Sequence, residues 1–168
     1  MIKLDEQVTS QWAQVENVYQ RRSDLIPNLV ASVKGAANFE KSTLTDVINA
    51  RAKATSINVD PAKLTPEAIA QFQAAQGQLS QSLGRLLATV EAYPELKANQ
   101  NFLELQSQLE GTENRITVER QKFNTVTQEY NSKIRTFPNN LTAGIFGFKP
   151  KGYFQAEAGA NKAPKVEI

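Results

Sequence analysis

Apolar residues recur every three or four positions through most of this chain. Leu4, Val8, Trp12, Val15, Tyr19, Ile26, Leu29 and Val33 fall on one face of a helix, and Arg22 stands where that stripe wants an apolar side chain. Pro27 lies in the run. It has no N–H and crowds the carbonyl four residues back, so a kink or short break is expected near Ser23–Pro27. Gly35 and Asn38 weaken the helix further, but the stripe keeps its phase to Val33, which reads as a bend and not a hairpin. Phe39 to Ala54, with Leu44, Val47, Ile48 and Arg51, reads as a prolongation of the same helix.

Ser56-Ile57-Asn58-Val59-Asp60-Pro61 is loop chemistry. Thr65-Pro66-Glu67 starts a second run, with Thr65 as N-cap and Pro66 at the first helical position. Ile69, Phe72, Leu79, Leu83, Leu86 and Val90 carry its stripe to about Ala92. Gly77 and Gly84 lie two turns apart on one side, where a neighbouring helix would approach closely unless both are merely tolerated surface glycines. Tyr93-Pro94-Glu95 ends or turns this helix. The third run extends from Asn99 to Thr136 on Phe102, Leu105, Leu109, Ile116, Phe123, Val126, Tyr130, Ile134 and Phe137, about 55 Å at roughly 1.5 Å per residue. Pro138 stops it.

Three long runs joined by short connections make antiparallel neighbours. The expected fold is all-α: an antiparallel up-and-down bundle of long helices, four-helix-bundle-like, with the first run bent near Pro27. Residues 1–148 form a single bundle domain. Its apolar cap, Leu141 to Phe148, folds over one end as a short turn or helix. Residues 149–168, with Pro150 and Pro164, read as an irregular, largely flexible tail.

Composition limits the chemistry. There is no Cys and no His, which removes disulfides, Cys/His zinc sites and imidazole catalysis. With 40% hydrophobic and 21% charged residues the chain has ordinary globular proportions, which argues against global disorder. A net charge of +2 is too small to propose nucleic acid. The charge is uneven: from Asn131 onward Lys133, Arg135, Lys149, Lys151, Lys162 and Lys165 face only Glu157 and Glu167, leaving +4 there and −2 before it. Such a basic end suits an acidic partner or an anionic membrane, or simply keeps the chain soluble. No stretch reaches the roughly 18 apolar residues of a membrane span, and no signal peptide is visible. Gly144 and Gly147 make no phosphate loop, because no strand precedes them and no G-K-[ST] follows. A Ser–Lys dyad stays open, but no pattern points to one. No cofactor or metal is implied.

Charges inside the stripes are the chemical feature that remains. Arg22 in the first run and Glu113 and Arg120 in the last sit at or beside apolar positions. An unpaired buried charge costs several kcal/mol, so partners are expected: Arg22 with Glu113 and Glu16 with Arg120, across antiparallel helices. Such pairs set register, line a polar ligand pocket, or lie exposed at the stripe edge.

Three segments together resemble the bacterial LemA family. L-D-E-Q-V-x-x-Q-W-A-Q-V-E-N-V-Y-Q-R-R-S-D-L-I-P-N-L-V (Leu4–Val30) resembles its opening and L-E-G-T-E-N-R-I-T-V-E-R (Leu109–Arg120) its last-helix motif. Y-N-S-K-I-R-T-F-P-N-N-L-T-A-G-I-F-G-F-K-P-K-G-Y-F (Tyr130–Phe154) resembles its C-terminal signature. The resemblance implies a single-pass membrane protein: a short tail, one transmembrane helix, then a helical bundle, weakly placed on the extracytoplasmic side. Against that plan this chain begins where the bundle helix would leave the membrane, and the expectation is an engineered start at Met1. The family carries no enzymatic activity to transfer, so no catalytic residue is named. The implied role is a scaffold with an unidentified protein partner and undefined oligomeric state. Candidate surfaces are the Gly77/Gly84 side and the apolar residues Ile145, Phe146 and Phe148, which serve equally as core cover. A small-ligand or lipid sensor built on the polar positions is the alternative, and a His-free enzyme a remote one.

Overall fold

The computed structural model describes residues 2–36, 38–136 and 139–155, and among them every regular element is helical. Six helices follow in order: α1 (Ile2–Lys34), α2 (Lys41–Ser56), α3 (Pro66–Val90), α4 (Pro94–Lys97), α5 (Gln100–Arg135) and α6 (Asn139–Phe146). The starts of α3 and α5 are chemically fixed. The Thr65 side chain accepts from the Ala68 N–H at 3.1 Å ahead of Pro66, and Asn99 accepts from the Phe102 N–H at 3.0 Å, each satisfying a donor that a helix start leaves free.

Two expected features of the first run are corrected. The expected short break at Pro27 is absent: α1 is one continuous helix through it, and the carbonyl of Ser23, which Pro27 cannot bond, accepts from Arg51 Nε on α2. The chain reverses after Lys34 instead, so α2 is a separate helix running back along α1. Asn38 takes φ 60° there, a conformation Asn tolerates. Its carbonyl accepts from the Tyr93 hydroxyl at 2.9 Å, and Phe39 packs on the Tyr93 ring with centroids 4.7 Å apart.

α1 lies along α5 and α2 along α3, each pair antiparallel. Because α2 has 16 residues against 33 in α1 and 36 in α5, it covers only part of the bundle. Four helices enclose the first core region, with Ile26, Leu29, Val33, Leu44, Val47, Leu79, Leu83, Leu86, Phe102 and Leu109. Three helices enclose the second, with Val8, Trp12, Tyr19, Ile69, Phe72, Ile116, Phe123, Tyr130 and Ile134. In this half two irregular segments stand in for the fourth helix. The α2–α3 loop contributes Val59 and Leu64, and a strap at 149–155 contributes Phe154. Phe154 sits among Phe123, Trp12 and Phe72 at centroid distances of 5.5, 6.0 and 6.2 Å, mostly edge-to-face.

The strap departs from the expected loose tail over these residues: its backbone is irregular, but Lys151, Gly152 and Phe154 are buried. α6 matches the short helix expected at the bundle end. It buries only Ala143, while Phe148 packs beside Tyr130 at 6.4 Å. Ile145 and Phe146, read as cover as readily as surface, are 81% and 71% exposed. Phe137, Pro138 and the tail residues Glu157, Lys162, Pro164, Lys165 and Glu167 lie outside the described residues.

Candidate functional site

Arg22 falls between Tyr19 and Ile26 on the buried face of α1, so helical phase alone drives its side chain inward. It is 1% exposed. α3 and α5 meet it with polar groups at the same level. Nη1 donates to Ser80 Oγ at 2.6 Å and Glu113 Oε1 at 3.0 Å; Nη2 donates to Gln76 Oε1 at 2.6 Å and the Gln76 carbonyl at 3.1 Å. Only Nε lacks an acceptor among the described residues. The guanidinium also lies 5.2 Å from the Tyr19 ring centroid. The fork geometry of Arg suits this divergent set of acceptors, as a point-charge Lys would not.

These residues form a layer. Arg22 separates Tyr19 from Ile26, Gln76 separates Phe72 from Leu79, and Glu113 with the buried Thr112 separates Leu109 from Ile116. The two core regions meet at this layer, which is also where α2 ends and the four-helix half gives way to the three-helix half. Sliding any of the three helices by one turn would strand a buried guanidinium on apolar neighbours.

Beside the layer, α3 and α5 leave a groove of about 420 Å³. Arg22 and Tyr19 line it from α1, Gly77 and Ser80 from α3, and Arg120 and Asn124 from α5. The strap closes one end with Phe154 and Gln155.

Arg22 therefore meets Glu113 as its stripe position foretold, but Glu16 and Arg120 do not meet. Arg120 lies seven residues from Glu113, two turns along the same side of α5, and its Nη2 donates to the Gln155 carbonyl at 2.7 Å with the guanidinium 5.2 Å from the Phe154 ring centroid. Glu16 is six residues from Arg22, about 120° round the helix, and faces Ser23, Ala54 and Asn58 on the α2 side. Burial there raises its carboxyl pKa above the ordinary 4.5. Gly77 lines the groove and Gly84 is exposed; a Cβ on either would meet nothing within 4 Å, so among the described residues no helix packs closely against either.

The strap's holders went unread in the sequence. Three side-chain amides each bond both the N–H and the C=O of one strap residue, as a neighbouring strand would. Asn131 holds Lys151 at 2.9 and 3.0 Å, Asn124 holds Phe154 at 2.8 and 3.0 Å, and Gln73 holds Gln155 at 2.9 and 2.6 Å. The spacing fits. Seven helical residues from Asn124 to Asn131 rise about 10.5 Å, and three extended residues from Lys151 to Phe154 span about 10 Å. Lys151 Nζ reaches Asp5 at 2.9 Å and lies 4.8 Å from the Tyr130 ring centroid. Glu119, 4% exposed, was also unforeseen; it accepts from Gln11 Nε2 at 2.7 Å across the α1–α5 seam.

Among the described residues no cluster of three or more His, Cys, Asp or Glu side chains could hold a metal ion, and no helix is long and apolar enough to cross a membrane.

The LemA family model matches residues 11–168. The chain is 28% identical over 142 residues to Protein LemA of Metamycoplasma hominis, covering 84% of this chain and 61% of that protein. It is 27% identical over 175 residues to Magnetosome protein MamQ 1 of Paramagnetospirillum magneticum, covering 92% and 63%. Magnetosome protein MamQ of Magnetospirillum gryphiswaldense is 28% identical over 174 residues, covering 91% and 62%. The chain thus spans a little over three fifths of the length of these relatives. With the family model matched across nearly the whole sequence, this chain belongs to the LemA family.

Proposed function

We propose that this chain is the bundle domain of a non-catalytic, membrane-anchored interaction or scaffold protein, single-pass, with the bundle on the extracytoplasmic side. One observation carries the reading: the buried Arg22 network between its long helices is spent on internal partners. Arg22 spends both terminal nitrogens on Ser80, Gln76 and Glu113, which is what a register lock does and what a catalytic group, with capacity left for substrate, does not. A stiff antiparallel pair of 33 and 36 residues is suited to holding partners at a set distance. Relatives named as magnetosome proteins support a role tied to an assembled structure.

In-cell crosslinking of the full-length protein in its native host, followed by mass spectrometry, tests this. A short, reproducible set of membrane-protein partners is expected. Recovery of none moves the reading to its alternative, a ligand sensor using the groove beside Arg22, for which the groove's volume and its polar lining speak. Gly77→Leu would place an apolar side chain in that groove, where a Cβ meets nothing within 4 Å. A ligand-induced thermal shift lost in Gly77→Leu would support the sensor.

A further inference from the structure

We propose that α6 is a lipid-contact helix that seats its outer face in the headgroup region of an anionic membrane; this deepens the membrane reading above and rests on it. α6 carries no charged residue. Ala143 faces the bundle, and Leu141 and Ile145, four residues apart, face away from it at 60% and 81% exposure, with Phe146 at 71%. Exposing three large apolar side chains on one short helix needs a reason beyond the scattered exposure of ordinary surfaces.

The surroundings of α6 say what covers it. α6 packs on α5, and the Asp5–Lys151 and Asn131–Lys151 contacts bring the start of α1 and the end of α5 to this same end of the bundle. Ile2, 69% exposed, opens α1 there. Over the first turn of α1, the last two turns of α5 and the start of the strap, the exposed charges are Lys3, Lys133, Arg135 and Lys149 against Glu6 and Glu129. Apolar side chains with a basic surround match a bilayer surface of anionic lipids, where each basic group near the surface and each inserted apolar group adds to binding. A protein partner fits less well: four apolar side chains offer a few hundred Å², short of the roughly 1,000 Å² that a specific interface clears.

The test is vesicle co-sedimentation of the whole 168-residue chain. Vesicles are phosphatidylcholine alone, or phosphatidylcholine mixed equally with phosphatidylglycerol. Binding is expected to the mixed vesicles, to weaken with added salt, and to be far lower on phosphatidylcholine alone. Ile145→Ser with Phe146→Ser should keep the thermal midpoint, both residues being exposed, and lower partitioning about tenfold or more. Lys133→Gln with Lys149→Gln should weaken it less and flatten the salt dependence. Absence of vesicle binding, or binding unchanged in the serine variant, overturns the proposal. So does a wild-type dimer that the serine variant turns into a monomer, since a second copy then covers α6. None of these results alters which partners crosslink in cells, so the scaffold reading stands or falls separately.

Discussion

Arg51 Nε donates to the carbonyl of Ser23 at 2.9 Å, and that carbonyl is the one Pro27 leaves without its helical partner. A side chain of α2 thus repairs the backbone of α1, and the same bond pins the shorter helix against the longer. The orphaned carbonyl lies beside a side chain only 2% exposed, where water offers poor compensation.

Removing the repair should therefore be felt. Arg51→Ala is expected to destabilise the fold by about 1–3 kcal/mol, the range for a buried acceptor left unsatisfied. With Pro27→Ala the new N–H can bond Ser23 in the ordinary helical way, so Arg51→Ala should do less harm in that background. A double-mutant cycle by urea unfolding measures this, and full additivity would show that the two residues are not coupled.

The polar layer makes a second prediction. Glu113→Ala strips a partner from a guanidinium that is 1% exposed, but the Glu113 side chain is 43% exposed and water enters readily, so about 1–3 kcal/mol is expected, below the range for a fully buried pair. Replacing Arg22, Gln76 and Glu113 together with Met, Leu and Leu should recover most of that loss, because no buried group is left unpaired. If the layer fixes register, the triple variant will show broadened amide resonances at unchanged helicity; sharp, wild-type-like spectra would argue that packing alone sets the alignment.

Gly152 tests the strap. A Cβ there would come within 2.8 Å of Pro66 Cα and 3.0 Å of the Thr65 carbonyl, both backbone, while the Gly152 N–H is bonded to the Leu64 carbonyl at 3.0 Å. Gly152→Ala should lift the strap and destabilise the chain by about 1–3 kcal/mol. Amide exchange at Phe154 should accelerate at the same time, whereas retained protection would mean that α3 yields instead.

Two groups give pH signatures of the same sense. Burial, then the nearby Asp5 carboxylate, push the Tyr130 phenol up to about 12, against a smaller lowering by a backbone hydrogen bond at Lys149. Its contribution to stability is complete below the ordinary value of 10.0 and is lost as pH rises toward 12. Tyr130→Phe should flatten stability loss across that window. For Glu16, raised by burial, the cost is absent below 4.5 and appears as pH climbs through its folded value, so Glu16→Gln should stabilise at neutral pH and not in acid. Thermal unfolding across both windows reads the two effects.

The pairing of Arg22 with Glu113 was legible because each stood at or beside an apolar stripe, while its other acceptors, Ser80 and Gln76, gave no such signal. Glu16 and Arg120 looked like the same kind of pair one step further on. Their spacings of six and seven residues turn them to different sides of the bundle. The strap had a quieter signal. Asn124 and Asn131 lie seven residues apart on one helix face, as repeated holders of one extended segment would, but Asn on a helix surface is common and says nothing until the segment it holds is known.

The sequence alone determined the three long helical runs, the starts at Thr65 and Asn99 and the apolar faces, because capping and period are local properties of neighbouring residues. It could not determine that α1 survives Pro27, that the chain reverses after Lys34, or that residues 149–155 complete the core where α2 is too short. Each of these depends on a group far along the chain: Arg51 for Ser23, Tyr93 for Asn38, and Gln73, Asn124 and Asn131 for the strap. A backbone carbonyl left open by its own helix accepts whatever donor the fold delivers, and only the tertiary structure names that donor.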